Sequence, residues 1–276
     1  KDLYIGAEGS LGIITAATLK LYPLPKSKVT ALVAIKNIPA GIQLIDLARE
    51  SSNADLTAFE LISARALRLT SQWKKNTELT SNSQTDWYVL LECSSMEAER
   101  VNRDRLENLL GRALELELIS DAIIANSIKQ SRDLWSIRES IPEAQLALGI
   151  VIKHDISLPI SQIANFVETT EIKLQQLWPK MQTIIFGHVG DGNLHYNVAP
   201  LSPDLSDDIE ERRKYINQLV HDQVYAYSGS FSAEHGIGQS KREELPLRKS
   251  TVEIELMKSI KRALDPKNIM NPGKVL

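Results

Sequence analysis

The sequence has a single cysteine, Cys93, among its 276 residues. One cysteine excludes an intramolecular disulfide and any metal site built from several thiolates, and it suits a reducing compartment. No apolar run approaches the roughly 18 residues that a membrane-spanning helix needs, so we expect no transmembrane segment. An excess of one charge is also lacking, since 32 Lys and Arg face 35 Asp and Glu. We therefore expect no nucleic-acid partner, because such proteins normally carry a basic excess.

A start methionine and a leader-like opening are missing as well. The chain begins Lys1-Asp2-Leu3-Tyr4-Ile5, as though inside a strand, and we expect it to be part of something longer. Its composition, 43% apolar and 24% charged, is that of a chain that buries a core. Its length allows one large domain or a domain and a half.

Apolar runs of strand length alternate with helical periodicity after the double proline at Pro23 and Pro25. Strands are predicted at 11–22, 29–35, 87–92, 150–158, 183–189 and 194–199, and helices at 40–50, 96–113, 129–148, 161–178, 208–227 and 251–264. Direct strand neighbours within this order predict an α+β fold, with an antiparallel sheet and helices on one face. The polar stretch 77–86 predicts an exposed loop.

Two histidines flank a glycine-rich turn in Gly187-His188-Val189-Gly190-Asp191-Gly192-Asn193-Leu194-His195. Residues 190–193 favour a hairpin with a four-residue loop. In that register His188 lies opposite His195, and opposed side chains share a face with Cβ atoms about 5 Å apart. Asn197, two residues further on, projects from the same face. The pair can therefore bind one metal ion.

Two histidines make only half a site, because a divalent metal also needs a carboxylate or a third nitrogen. The segment Ser232-Ala233-Glu234-His235-Gly236-Ile237-Gly238 offers both an acid and a histidine. On a regular strand Glu234 and His235 would point to opposite faces. Both can serve one site only if the backbone turns at Gly236 and Gly238, which glycine permits.

The other candidates are ordinary when taken singly. His154 shares a strand face with two isoleucines and is interpreted as a packed side chain. His221 lies in a polar helical stretch and is interpreted as solvated. Lys153 and Arg138 would each be called a surface cation.

Taken together, these segments resemble the FAD-linked oxidase family of D-2-hydroxyacid dehydrogenases, which is similar to vanillyl-alcohol oxidase. The resemblance spans the chain and is carried by segments 6–15, 187–195, 233–238 and 265–274. Segment 153–159, Lys-His-Asp-Ile-Ser-Leu-Pro, looks closest to the D-2-hydroxyglutarate dehydrogenase branch, and D-lactate dehydrogenases are other members.

The resemblance implies three regions. Residues 1–24 correspond to the end of the flavin-binding domain, 25–250 to a ferredoxin-like substrate or cap domain with the metal site, and 251–276 to a C-terminal helix and tail returning toward the flavin domain. The family's glycine-rich loop for the FAD pyrophosphate has no counterpart here, and residues 6–12 follow no dinucleotide fingerprint. We therefore expect this chain alone to bind FAD weakly and to be inactive.

The resemblance also implies roles for individual residues. The implied metal ligands, most often for zinc, are His188, His195 and Glu234; the implied base is His235; the implied substrate contacts are Arg138, Lys153 and Asn197; and the implied FAD contacts are Gly9, Gly12 and Asn271. A metal on the α-hydroxyl lowers its pKa, and a neutral histidine can then accept the proton. Pro142 departs from the D-2-hydroxyglutarate branch, which has a hydroxyl-bearing residue in contact with substrate there, so the particular hydroxyacid stays open.

Two other functions are compatible with the same residues. A metallohydrolase could use a His/His/Glu site to activate water, although no acid lies within a helical His motif here. A metal-binding module without catalysis is the second alternative. For the oxidase, the expected partners are a small D-2-hydroxyacid and an electron-acceptor protein or quinone, and a homodimer stays open. The expected location is the cytoplasm, with membrane association only through the electron acceptor.

Overall fold

The structure is a computed structural model that describes residues 1–50, 56–74 and 85–276. These residues form two compact units: Leu24–Phe231, and Lys1–Pro23 together with Ser232–Leu276. Most of the predicted 77–86 loop lies outside the described residues. None of the helices in these described ranges combines the length and the apolar character needed to cross a membrane.

The larger unit is built on one antiparallel sheet. Its strands are β1 (Ser27–Ile35), β2 (Leu56–Ser63), β3 (Trp87–Ser95), β4 (Ile119–Ile124), β5 (Asp155–Ser157), β6 (Met181–His188) and β7 (Asn193–Pro200). The strand order is β4-β1-β3-β2-β6-β7-β5, and every neighbouring pair is antiparallel. The α+β class with an antiparallel sheet is therefore confirmed.

Helices cover this sheet. In the larger unit they are α1 (Ile38–Glu50), α2 (Ala64–Lys74), α3 (Glu99–Glu115), α4 (Ile128–Glu139), α5 (Ile141–Ala144), α6 (Ile163–Leu177) and α7 (Ser206–Ala226). Apart from α2, which lies between β2 and β3, the element order β1-α1-β2-β3-α3-β4 with strand order β4-β1-β3-β2 is the ferredoxin-like arrangement. Strands β6, β7 and β5 extend that sheet beyond β2.

The helices pack on both faces of the sheet rather than on one as expected. Helices α1, α3, α6 and α7 share one core with Val33 and Ile35. Helices α2, α4 and α5 share a second core with Leu32 and Ala34. The reason is that β1 is buried at nearly every position, so successive side chains on both faces need apolar cover.

Phe166 of α6 is a sensitive point of the first core. It is fully buried, and its ring meets the Tyr196 ring edge-on with centroids 5.3 Å apart. We expect Phe166→Ala to lower the free energy of unfolding by about 3–5 kcal/mol, because a buried aromatic leaves a cavity. Ile172→Ala on the same helix, at a site 52% exposed, should change it by less than about 1 kcal/mol. Urea midpoints measure both, and equal effects would contradict the assigned core.

Most predicted elements are present. Four were not predicted: strands β2 and β4, helix α2 and the four-residue helix Leu245–Arg248. The segment 11–22 contains no strand, and its Ile13 and Ile14 side chains are 78% and 63% exposed. An apolar alternating pattern becomes a strand only when another strand pairs with it, and none of the described residues does so here.

The smaller unit joins the two ends of the chain through partly buried polar contacts. The Glu8 carboxylate accepts the backbone N–H groups of Ile237 at 2.6 Å and of Gly238 at 2.7 Å. Lys261 donates to the carbonyl oxygens of Ser10 at 2.6 Å and Met270 at 2.8 Å. Its helices are α8 (Leu245–Arg248) and α9 (Thr251–Leu264), the second with a Ser250–Glu253 capping box.

Candidate active site

Five of the predicted site residues belong to the larger unit. Three of them lie on its strands and Lys153 lies just before β5, and these four share one face of the sheet. His195 pairs with Phe186 across β6 and β7, and His188 lies two residues beyond Phe186 along β6. Side chains two residues apart on a strand point the same way, so both histidines project from the face on which α4 packs. Lys153 and Asn197 lie two residues from Asp155 and His195, which are paired on that face.

The predicted hairpin register is wrong in detail. Residues 189–191 form a 3-10 turn, and Gly192 is left-handed with φ 79°. His195 therefore lies opposite Phe186, while His188 lies opposite Glu60 of β2. A side chain on Gly192 would come within 2.3 Å of the Leu158 carbonyl oxygen, so this tighter turn needs glycine. The two histidines share a face, as expected, but they are not a directly opposed pair.

Each histidine instead has a buried acid directly opposite it on the next strand. Glu60, 1% exposed, contacts His188 Nδ1 through Oε1 and accepts from Arg138 Nε at 2.7 Å through Oε2. Burial alone would raise the pKa of the Glu60 carboxyl, but the hydrogen bond from His188 and the charge of Arg138 outweigh it and hold the pKa below its usual value. Glu60 is therefore an ionised acceptor.

Asp155 is the buried acid beside His195. It is 3% exposed, pairs with His195 across β5 and β7, and its Oδ1 lies 3.8 Å from His195 Nδ1. Asn193 donates to that same Oδ1 at 3.1 Å. The amide oxygen of Asn193 is buried and has no hydrogen-bond partner among the described residues. Imidazole nitrogens with nearby carboxylate and amide oxygens are a donor set that suits zinc.

Arg138 reaches this face from α4. Only 9% exposed, it lies over the Phe186 ring, with its Cζ 4.7 Å from the ring centroid. The His195 ring lies 4.8 Å from the same centroid. Within the described ranges, the Arg138 side chain makes only one hydrogen bond, from Nε to Glu60. The two Nη nitrogens thus keep the fork geometry that binds a carboxylate.

Lys153 and Asn197 differ in their exposure and in the hydrogen bonds that they already make. Lys153 is exposed. Asn197 is buried, accepts the backbone N–H of His154 at 3.1 Å and donates to Gln145 Oε1 at 2.9 Å. One N–H of its amide remains for a substrate, and its role as a substrate contact stays a prediction.

Glu234 and His235 lie in an exposed segment of the smaller unit, and their convergence with the histidine pair stays a prediction. The expected backbone turn is present: Gly236 and Gly238 have φ of 77° and 56°. A side chain on Gly236 would come within 2.5 Å of Glu8 Oε1. Glu8 and the glycines together therefore define the path of this segment.

The predicted flavin contacts are also in the smaller unit. Gly9 has φ 72° and lies against Asn271, whose amide donates to the Glu8 carbonyl oxygen. Gly12 lies against Tyr4. Their contact with FAD stays a prediction.

The two remaining histidines are both buried. His154 is packed, as expected, with its ring nitrogens 2.8 Å from the Tyr196 carbonyl oxygen and 3.0 Å from Asn217 Oδ1. His221 is 4% exposed rather than solvated, and its ring meets that of His154 at 5.3 Å. The polar stretch around His221 was misleading because α7 buries His221 together with its neighbours Val220 and Val224.

Glu60 and Asp155 are the functional candidates that the sequence analysis missed. Glu60 stands within Phe59-Glu60-Leu61-Ile62, and an acid inside an apolar run is a signal of a buried, paired charge. A cavity of about 580 Å³ opens beside Glu60 and His188, and Trp135 and Arg49 line it. The face therefore offers space, cations and metal-binding nitrogens together.

Comparisons with known proteins identify the family to which this α+β domain belongs. Residues 24–275 match the family described as FAD linked oxidases, C-terminal domain, and the chain belongs to that family. The metallohydrolase alternative therefore loses support.

Similar proteins include two named dehydrogenases. The chain is 36% identical over 276 residues to the mitochondrial D-2-hydroxyglutarate dehydrogenase of Arabidopsis thaliana, covering all of this chain and 48% of that protein. It is 33% identical over 282 residues to the D-2-hydroxyglutarate dehydrogenase of Stutzerimonas stutzeri, covering all of this chain and 58% of that protein. The chain thus spans about half the length of the curated relatives that it matches.

A solved structure of alkyldihydroxyacetonephosphate synthase shares the fold. It superposes with a TM-score of 0.63 at 14% identity, covering 97% of this chain and 48% of that one.

Proposed function

We propose that the protein containing this chain oxidises a D-2-hydroxyacid to the 2-oxoacid with FAD as the hydride acceptor and a divalent metal, zinc, at the substrate hydroxyl. The observation that carries the proposal is the sheet face on which Arg138, His188 and His195 meet from separate segments. The family membership and the names of the relatives support D-2-hydroxyglutarate as the first substrate to try, with D-lactate second.

The residues of the chain divide the work as follows. His188, His195 and Glu234 would hold the metal, which when bound supplies a positive charge that lowers the pKa of the hydroxyl. Arg138 and Lys153 bind carboxylate oxygens and orient the substrate. His235 accepts the hydroxyl proton on a ring nitrogen while hydride leaves the α-carbon. FAD, when bound by the whole protein, supplies the hydride acceptor, and Gly9, Gly12 and Asn271 would contribute to its site.

The remaining parts of the proposal concern the whole protein. An acceptor protein or a quinone would be the electron-accepting partner of the whole protein. The cytoplasmic location and a homodimer stay predictions, and cell fractionation and light scattering test them. The first relative above carries a mitochondrial name, which makes fractionation informative.

The test uses the full-length protein. We expect a yellow protein whose flavin absorbance is bleached anaerobically by D-2-hydroxyglutarate or D-lactate and not by the L enantiomers. Turnover with an artificial electron acceptor should show the same preference. A protein without flavin, or one that no D-2-hydroxyacid reduces, would contradict the proposal.

Arg138→Ala tests the carboxylate contact. Because a guanidinium binds the carboxylate in ground and transition states alike, we expect KM for the hydroxyacid to rise about 10- to 100-fold while kcat falls less. Arg132→Ala on the same helix is the matched control and should leave KM unchanged. An Arg138→Ala protein with normal KM would remove Arg138 from the substrate site.

A further inference from the structure

Burying the Glu60 carboxylate at its position in the sheet costs free energy unless its oxygens are paired. Glu60 stands in the middle of the sheet, between β3 and β6, and is 1% exposed. An ionised carboxylate is buried without loss only if its oxygens are paired and hydrogen-bonded. Both oxygens are used here, one on His188 and one on Arg138. Glu60 is therefore bound to two of the side chains proposed for the site.

The contact with His188 determines which ring nitrogen carries the proton. The Arg138 guanidinium can only donate to Glu60, so the carboxylate paired with it accepts, and Nδ1 facing its other oxygen carries the hydrogen. A histidine protonated on Nδ1 has its lone pair on Nε2, and metal-binding histidines commonly use one nitrogen for the ion and donate the other to a carboxylate. The His188 side chain is 43% exposed, so surrounding packing leaves room for its ring to rotate.

The contact with Arg138 orients the guanidinium. Its Nε is held at 2.7 Å from Glu60, and its Cζ lies 4.7 Å from the Phe186 ring centroid. With one edge fixed, the two Nη groups point in one direction instead of sampling rotamers. A single carboxylate thus orients one metal-binding and one substrate-binding side chain.

We infer that Glu60 is a positioning residue that holds His188 in the metal-binding tautomer and aims Arg138 at the substrate. This inference rests on the proposed function. Glu60 itself touches neither metal nor substrate, so its effect passes through the two side chains.

Glu92 provides a matched control on the same sheet face. It is 9% exposed on β3, accepts from Trp135 Nε1 at 3.0 Å and from the Thr30 hydroxyl at 3.3 Å, and pairs with Lys28 at 3.3 Å. It is a buried acid with a cation and two donors, but no contact with a histidine is seen in the part of the chain that the structure describes. A purely structural loss should affect both acids alike.

The experiment compares Glu60→Gln and Glu92→Gln with the unmodified full-length protein. Zinc affinity is measured by competition with a chromophoric chelator, cobalt substitution reports ligand geometry by its visible absorption, and steady-state kinetics give KM. We expect Glu60→Gln to weaken metal binding about 10- to 100-fold, the usual effect of losing an outer carboxylate, to alter the cobalt spectrum and to raise KM. Glu92→Gln should stay within about twofold on each.

Outcomes separate this inference from the function on which it rests. If the unmodified protein binds metal and oxidises hydroxyacid but Glu60→Gln matches it in metal affinity and cobalt spectrum, the inference about Glu60 is wrong and the proposed function stands. An equal loss in Glu92→Gln also overturns the inference. An unmodified protein that binds no metal overturns both.

A second variant covers the case in which Glu60→Gln does not fold. Glu60→Asp keeps the charge beside Arg138 but withdraws the carboxylate from His188 by one methylene. We expect it to fold and to lose metal affinity in the same direction. Glu60→Asp with full metal affinity would overturn the inference.

Discussion

His195→Ala in the full-length protein should abolish metal binding and hydroxyacid oxidation together. His195 is 14% exposed at its side chain, is held between the Phe186 ring and Asp155, and cannot be replaced from its own strand. Losing one nitrogen of a His/His/Glu set leaves too few ligands for zinc, which takes three or four protein ligands. We expect less than about a tenth of the wild-type metal content, measured by elemental analysis, and turnover at background.

The control for this variant is His154→Gln. His154 is the histidine next to Asp155 on the neighbouring strand, but its ring faces the Tyr196 carbonyl oxygen and Asn217 instead. It should keep its metal even if its melting temperature falls. Stoichiometric zinc in a folded His195→Ala protein would exclude His195 as a ligand.

The sequence predicts strand positions in this fold better than strand pairing. Helix α9 was predicted with its observed ends, since the apolar period and the Ser250 cap are local signals. The register between His188 and His195 was wrong because it depends on a turn whose shape is set by Leu158, more than thirty residues away in the chain. Pairing of His188 with β2 is a tertiary contact that no local pattern contains.

Only some residues of the candidate site could be predicted from the sequence. Its histidines stand out because glycine and histidine cluster in two short segments, and Arg138 was found only through the family resemblance. Glu60 was missed because β2 itself was missed: an acid at 60 interrupts the apolar run that would have indicated a strand. Glu60 thus made β2 hard to recognise in the sequence, and in the structure it is the residue of β2 that is buried beside His188.

The contacts on this sheet face also explain why its residues, taken singly in the sequence, did not indicate a functional site. Arg138 would be a surface cation on α4 were it not for Glu60 and Phe186, which bury it. His188 and Arg138 approach the same carboxylate from different elements, and Arg138 and His195 both lie against the Phe186 ring. The charges of Glu60 and Arg138 are therefore paired only after the sheet has formed. No single segment of the sequence predicts that pairing.

His235→Ala in the full-length protein should lower kcat by about 10²- to 10⁴-fold while metal content stays normal, because a positioned base contributes that much to proton transfer. His235 follows Glu234, the proposed carboxylate ligand, so its ring would lie beside the hydroxyl that the metal polarises. KM should change little, since the base contributes mainly in the transition state. Steady-state kinetics with metal analysis check this against Glu234→Ala, which should lose metal and activity together. If His235→Ala kept near-normal kcat, another residue would have to accept the proton, and the assignment of the base would be wrong.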